Sequence, residues 1–193
     1  MISEELLVKQ SRQGDLKAFE ELVLLYQDKI YALAYRYLGN EEDANDLAQE
    51  AFIKAFRSLS SFKGESGFGT WLFRIASNLC LDELRGRKRR IKCLSLDEPV
   101  ITSQGEELPK EIPDLSAAVD DKYEKKELSL YIQKLLNELK PDYKAIIVLR
   151  DMMGFSYEEI AEILKCSQGT VKSRLNRARA ILRKKLLKRE LLP

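Results

Sequence analysis

Between Gly154 and Arg189 the chain sorts its charges onto two neighbouring apolar-periodic segments, and binding chemistry is most legible there. From Lys172 to Arg189 stand nine cations (Lys172, Arg174, Arg177, Arg179, Arg183, Lys184, Lys185, Lys188, Arg189) and no carboxylate, whereas the preceding segment carries Glu158, Glu159 and Glu162. Val171, Leu175, Ala178, Leu182 and Leu186 recur every three or four residues, so a helix here buries one stripe and leaves a cationic side free. Ser156 with Glu159 makes a capping box for the earlier helix, the hydroxyl accepting a helix-terminal N–H and the carboxylate reaching back to the cap's own N–H. Ile160, Ala161, Ile163 and Leu164 give that helix an apolar face, and it stops near Lys165-Cys166-Ser167. The pattern is a helix-turn-helix whose second helix, opening at Gly169-Thr170, suits a DNA groove. The plainer alternative is a helical hairpin with a solvated basic face. The short turn and the small Ala161, where two helices approach, favour the DNA-reading form. Lys165 occupies the turn position that usually wants Gly or Asn in a left-handed conformation, at a cost of about 1 kcal/mol.

Two other clusters carry chemistry. Asp43, Asp46 and Glu50 fall at spacings of three and four, which puts them on one helix face beside Leu47 and Phe52. Such an acidic ridge suits a basic partner helix, or simply solvates the outside of a core stripe. Phe62, Phe68, Trp71 and Phe73 gather around Gly64, Gly67 and Gly69, next to Arg74, Asn78 and the basic run Arg85 to Lys92. Rings beside cations are the pattern of single-strand binding, where bases stack and phosphates meet Arg and Lys, although a small bundle also needs most of these rings for its core.

Composition narrows the alternatives. The 193 residues, 45% apolar and 33% charged, describe a folded chain of one or two small domains, and the net charge of +2 rules out a simple polycation. Without histidine there is no imidazole base, no Ser-His-Asp triad and no His-ligated metal. Cys80, Cys93 and Cys166 are too far apart for a zinc knuckle and odd in number, as expected of reduced thiols. No phosphate-cradling glycine loop appears, the N-terminus lacks a signal-peptide core, and no apolar run approaches a membrane span. The expectation is a cytoplasmic, non-enzymatic protein with no metal and no cofactor.

The elements that must position these clusters read as all-α. A short first helix around Leu6, Leu7 and Val8 is closed by Gly14. Asp15 caps a second helix running to Leu38 with Gly39 as terminator, and Asn40 opens a third through Leu59. Thr70-Trp71-Leu72 leads a fourth to about Arg90, completing a four-helix bundle over residues 1–92. From 93 to 122 periodicity fails: Pro99, Pro109 and Pro113 interrupt it, and eight acids lie between Asp97 and Asp121 against Lys110 alone. That stretch reads as a flexible acidic linker. Helices resume near Tyr123, Pro141 marks a boundary before Tyr143 to Met152, and the helix-turn-helix domain completes residues 123–193.

Three strings in this order resemble the extracytoplasmic-function (ECF) group of bacterial RNA polymerase sigma factors. They are Asp46-Leu47-Ala48-Gln49-Glu50-Ala51-Phe52; Phe68-Gly69-Thr70-Trp71-Leu72-Phe73-Arg74-Ile75-Ala76-Ser77-Asn78; and Ser156-Tyr157-Glu158-Glu159-Ile160-Ala161 with Gly169-Thr170-Val171-Lys172-Ser173-Arg174. The resemblance implies no reaction of the chain's own but recruitment of core RNA polymerase to promoter DNA and help in melting it. It implies docking of the third helix on the coiled coil of the polymerase beta-prime subunit through Asp46, Leu47, Gln49, Glu50 and Phe52, with the beta flap as a second polymerase contact. It implies that Phe62, Trp71, Arg74, Ile75, Asn78 and Arg85 meet the −10 element, where a base flipped from the stack needs an apolar wall and a hydrogen-bonding edge. Lys172, Ser173, Asn176 and Arg177 match base-facing positions for the −35 element, and Thr170, Arg174 and Arg179 backbone-facing ones. The tether would pass near the polymerase active cleft, and an anti-sigma factor, membrane-anchored or not, would be a partner. Gly69 stands where a small hydroxyl residue is common. A stand-alone helix-turn-helix regulator with an N-terminal oligomerisation bundle is the competing class.

Overall fold

The computed structural model describes residues 3–97 and 120–190, and every regular element among them is helical. Ser3 caps α1 (Glu4–Arg12), its hydroxyl accepting from the Leu6 N–H. Asp15 caps α2 (Leu16–Leu38) by accepting from the N–H groups of Lys17 and Ala18, and Gly39 ends it in the left-handed region at φ 74°. That conformation carries a steric penalty for a residue with a Cβ, and Gln133 leaves no room there for one. The Asn40 side chain accepts from Asp43 N and opens α3 (Glu41–Ser58). A 3-10 turn, Leu59–Ser61, then leads to the glycine-rich loop.

Helix α4 (Phe68–Asp97) exceeds the expected Thr70 to Arg90 at both ends. Its ladder begins where Trp71 N donates to Gly67 O at 3.1 Å, and the Phe68 ring is buried against Phe62 and Trp71. At the far end no proline intervenes before Pro99, so nothing removes a ladder donor. Helix α5 (Asp120–Asn137) likewise starts ahead of Tyr123. The middle of the expected linker, 98–119, lies outside the described residues.

Pro141 takes the first position of α6 (Pro141–Ile147), where its missing N–H costs nothing, and the chain continues into a π turn, Val148–Met152. Both hydrogen bonds of the expected capping box start α7 (Tyr157–Leu164): Glu159 N donates to Ser156 Oγ at 3.1 Å and Ser156 N to Glu159 Oε2 at 2.7 Å. Lys165 ends the helix at φ 50°, the one non-glycine at positive φ among the described residues. Ser167 Oγ accepts from Thr170 N and caps α8 (Gln168–Glu190).

Leu22, Ile30 and Leu33 of α2, Ala44 and Ala51 of α3, and Leu72 and Ala76 of α4 fill the N-terminal bundle; Ile146, Leu149, Ile160, Ile163, Val171 and Leu175 fill the C-terminal one. The two cores are continuous. Phe73 of α4 meets Phe155 edge-on at 4.7 Å, Arg36 donates to the Met153 sulfur, Gln133 donates to the Arg36 carbonyl at 3.2 Å, and Arg85 pairs with Asp142 at 2.8 Å. The helix-turn-helix half therefore docks on the flank of the first bundle.

The strained turn makes a stability test. Lys165→Gly should raise unfolding free energy by roughly 0.5–1 kcal/mol, the relief of left-handed strain outweighing the extra entropy of glycine when unfolded, and Lys165→Val should lower it. Urea melts of the three proteins check this, and a neutral or destabilising glycine contradicts it.

Candidate nucleic-acid interface

Helix α8 presents its charges as its apolar stripe demands. Val171, Leu175 and Ala178 are buried against α6 and α7, which turns Lys172, Ser173, Asn176 and Arg177 to solvent on one arc. Those four form an exposed surface with two cations, a hydroxyl and an amide, the donor and acceptor types that read base edges in a major groove. The residues expected to face the backbone are more engaged. Thr170 shares a hydrogen bond with the Ser167 hydroxyl at 2.9 Å, Arg174 is half-buried, and Arg179 is held by both carboxylate oxygens of Asp151 on the π turn. That pair holds the Arg179 guanidinium pKa above its usual value. Lys172 and Arg150 both sit over the Tyr157 ring, at 5.8 and 4.8 Å, which ties the first helix of the pair to the exposed arc of α8.

On the N-terminal bundle, Phe62 and Trp71 pack at 5.1 Å and are almost wholly buried, with Phe68 completing the cluster. These rings form the floor from which the next turns of α4 rise. Trp71, Ile75 and Asn78 lie on one line of the helix, passing from buried to half-buried to exposed. The arrangement offers an apolar wall below and an amide edge at the rim. Arg74 is half-buried beside Glu65 and Ser66, facing the α7–α8 turn across a shared groove. Arg85 is not a free cation in this arrangement, since Asp142 and Asp82 both hold it.

Gly69 has a local explanation. A Cβ there would sit 2.7 Å from the hydroxyl of Tyr26 on α2, which donates to Glu4 Oε2 at 2.5 Å and so fastens α1 to α2 beside the start of α4. Burial and the Glu4 carboxylate together push the Tyr26 pKa up, keeping the phenol a donor.

The acidic ridge is larger than the sequence pattern indicates. Asp43, Asp46 and Glu50 of α3 line a groove of about 470 Å³ together with Asp82 and Glu83 of α4, which spacing within α3 had no means of revealing. Arg87 bridges the two helices, 2.7 Å from Asp43 and 2.8 Å from Glu83. Its hydrogen bond to Glu83 holds that carboxyl below the usual range. Asp46, Gln49 and Glu50 are exposed, Phe52 is half-buried, and Leu47 is buried, so Leu47 supports the ridge from beneath. Ile53 and Phe56 stand exposed beside it, an apolar border that the motif reading missed and that the exposed side of the α3 helical period locates.

One helical bundle with an acidic ridge and an aromatic loop, joined to a helix-turn-helix, defines a two-domain transcription factor. Residues 22–90 match the family model Sigma-70 region 2, and residues 129–182 match Sigma-70, region 4. The chain is 41% identical to the ECF RNA polymerase sigma factor SigW of Bacillus subtilis over 93% of this chain and 94% of that one. It is 38% identical to the ECF RNA polymerase sigma-E factor of Escherichia coli over 96% and 95%. Its fold matches the sigma factor RpoE of Bartonella quintana, solved in complex with the anti-sigma factor NepR, with a TM-score of 0.62 and 31% identity over 90% of this chain and 98% of that one. It also matches CnrH, solved with the cytosolic domain of CnrY, with a TM-score of 0.63 and 26% identity over 95% and 96%. The chain belongs to the ECF RNA polymerase sigma factors and acts as an alternative sigma factor directing RNA polymerase. A stand-alone regulator is not favoured, because its N-terminal half is a region 2.

Glu83 supplies a titration test of the bridged ridge. Its depressed carboxyl contributes stability that is present above the unfolded pKa, about 4.3, and is lost as pH falls through the lower folded value. Arg87→Met should raise the Glu83 midpoint toward the ordinary carboxylate range, Arg90 at 3.0 Å still holding it down in part, and flatten the acid limb of the stability curve in that window, by a modest amount because the pair is partly exposed. Carboxyl NMR titration checks it, and an unmoved midpoint contradicts the bridge.

Proposed function

We propose that residues 1–92 bind core polymerase and open the −10 element, that residues 123–193 read the −35 element, and that residues 93–122 tether the two. The supporting observation is the separation of charge in space: a carboxylate groove on α3 and α4, a cationic arc on α8, and an aromatic floor with an amide rim on the intervening turns of α4. The groove suits the basic face of the beta-prime coiled coil, with Asp46, Gln49 and Glu50 as contacts and Leu47 and Phe52 holding them in place. The C-terminal domain takes the beta flap. A flipped base stacks on the apolar wall of Ile75 over Phe62 and Trp71, and Asn78 offers its amide to the base edge, while Arg74 and Arg85 meet phosphates once their present neighbours give way. On the −35 duplex, Lys172, Ser173, Asn176 and Arg177 face bases, and Thr170, Arg174 and Arg179 face the backbone. The protein carries out no reaction of its own, takes no metal or cofactor, and works in the cytoplasm under an anti-sigma factor. Among the described residues no helix is long and apolar enough to cross a membrane.

Polymerase docking is tested by co-elution and run-off transcription with purified core polymerase. Glu50→Lys, exposed and free of internal partners that the fold depends on, should weaken core binding by several kcal/mol while leaving helicity unchanged, because like charges then meet in a partly desolvated contact. Normal co-elution of the variant overturns the assignment of the groove.

The −35 reader separates two kinds of arginine. Exposed Arg177→Ala should cost about 1–3 kcal/mol on the correct site and flatten discrimination at one base position, with little change on random duplex. Half-buried Arg174→Ala should weaken all sequences alike and reduce the log-log salt slope by about one unit. Binding across a salt series decides between them, and equal losses on specific and random DNA in both variants would show that α8 grips only the backbone.

A further inference from the structure

One cavity gathers cations, most of which the surfaces described above leave without a role. Asp82, Arg85 and Arg89 stand three and four residues apart on α4, with Lys88 beside them, so they share one side of that helix. Across from them, Lys140 and Asp142 flank Pro141 at the start of α6. The proline drives the residue before it out of helical backbone, and Lys140 adopts φ −64° and ψ 144° without capping the helix through its side chain. Together these residues line a cavity of about 740 Å³. Small-molecule sites run from about 300 to 1,000 Å³, and a single phosphate would leave most of this one empty.

The charges around the cavity do not balance. Arg85 takes both carboxylates, Asp82 Oδ1 at 3.8 Å and Asp142 Oδ1 at 2.8 Å. Among the described residues no carboxylate pairs with Lys88, Arg89 or Lys140, and all three are exposed. Unneutralised cations around one hollow repel one another, and a multivalent anion set between them relieves that repulsion at several points. The rest of the lining is the Pro141 ring and the aliphatic stems of the long side chains, an apolar surface with guanidinium planes on which a nucleobase can stack. The ion pair to Arg85 uses Oδ1 of Asp142, so its Oδ2 is left to accept, and a carboxylate beside a nucleotide's sugar accepts from the ribose hydroxyl. Duplex DNA fits this hollow poorly, because its phosphates lie along a track whereas these cations converge on one space from two helices.

We propose that this cavity binds a ribonucleoside triphosphate, with its phosphates between Lys88, Arg89 and Lys140, its base against Pro141 and the Arg85 guanidinium, and its ribose hydroxyls donating to Asp142. The site goes beyond the promoter and polymerase reading and does not depend on it. Lys88, Arg89 and Lys140 lie outside every DNA and polymerase contact assigned above, so their loss leaves those contacts in place.

The test is isothermal titration of the full chain, without DNA or polymerase, using ATP, adenosine and inorganic tripolyphosphate as probes. ATP should bind at a single site with a Kd on the order of 10 μM. Adenosine and tripolyphosphate should each bind roughly tenfold or more weakly, since adenosine lacks the charges and tripolyphosphate leaves the apolar lining bare. Lys140→Ala and Arg89→Ala, both at exposed positions, should each weaken ATP roughly tenfold by removing a charge-assisted contact. Lys17→Ala removes an exposed cation of α2 that lies outside the cavity lining and should leave ATP binding unchanged. Circular dichroism confirms that each variant is folded. Tripolyphosphate binding as tightly as ATP would reduce the cavity to an anion patch and overturn the proposal. Millimolar affinity for ATP, or a loss on Lys17→Ala equal to that on Lys140→Ala, overturns it as well.

Discussion

The structure depends on α4 being shared. Leu72 and Ala76 lie in the N-terminal core, Phe73 meets the second domain, and Trp71, Ile75 and Asn78 rise along a third side toward solvent. At 3.6 residues per turn, three functions on one helix fall on three arcs that cannot drift relative to one another. Close packing makes the sharing consequential, because interiors at crystal-like density pass on displacement rather than absorb it. Where α4 sits against α2 and α3 therefore fixes both the aromatic floor beneath Ile75 and Asn78 and the seat of the helix-turn-helix. Tyr26 reinforces this at the helix start, where its ring packs edge-on against Phe68 and its hydroxyl reaches Glu4.

What the sequence made legible was mostly local. The Ser156–Glu159 box, the Asp15 and Asn40 caps, the Gly39 stop and even the uncomfortable Lys165 turn each rest on groups within four residues, so spacing is enough to see them. The two-domain all-α plan followed from periodicity that fails only between the two halves. The start of α4 escapes a reading of the sequence because Gly67 and Gly69 look like loop residues until Phe68 is seen to be buried. Asp82 and Glu83 joining the acidic groove, Asp151 holding Arg179, and Asp142 holding Arg85 are pairings between distant segments that no window reveals. Lys144 is the sharpest case, since a lysine between Tyr143 and Ala145 reads as a solvated position until α6 is laid on α4.

The charge run on α8 is narrower in space than in sequence. Arg179 is held by Asp151 and Lys185 by Glu138, so part of the cationic face is already neutralised by its own domain. These pairs are substantially exposed and individually weak, because water screens them and two long side chains must be ordered to make them. Weakness is what a phosphate-binding surface requires. A guanidinium oriented by an exposed carboxylate exchanges that partner for a phosphate at little cost, whereas a deeply buried pair would not let go. The exposed arc of Lys172, Ser173, Asn176 and Arg177, proposed above to read bases, faces a different constraint, since a base edge rewards only donors and acceptors already pointing outward. Among the described residues an internal carboxylate therefore accompanies Arg179, proposed to face the backbone, and none pairs with the arc proposed to read bases, a division set by what each ligand would have to displace.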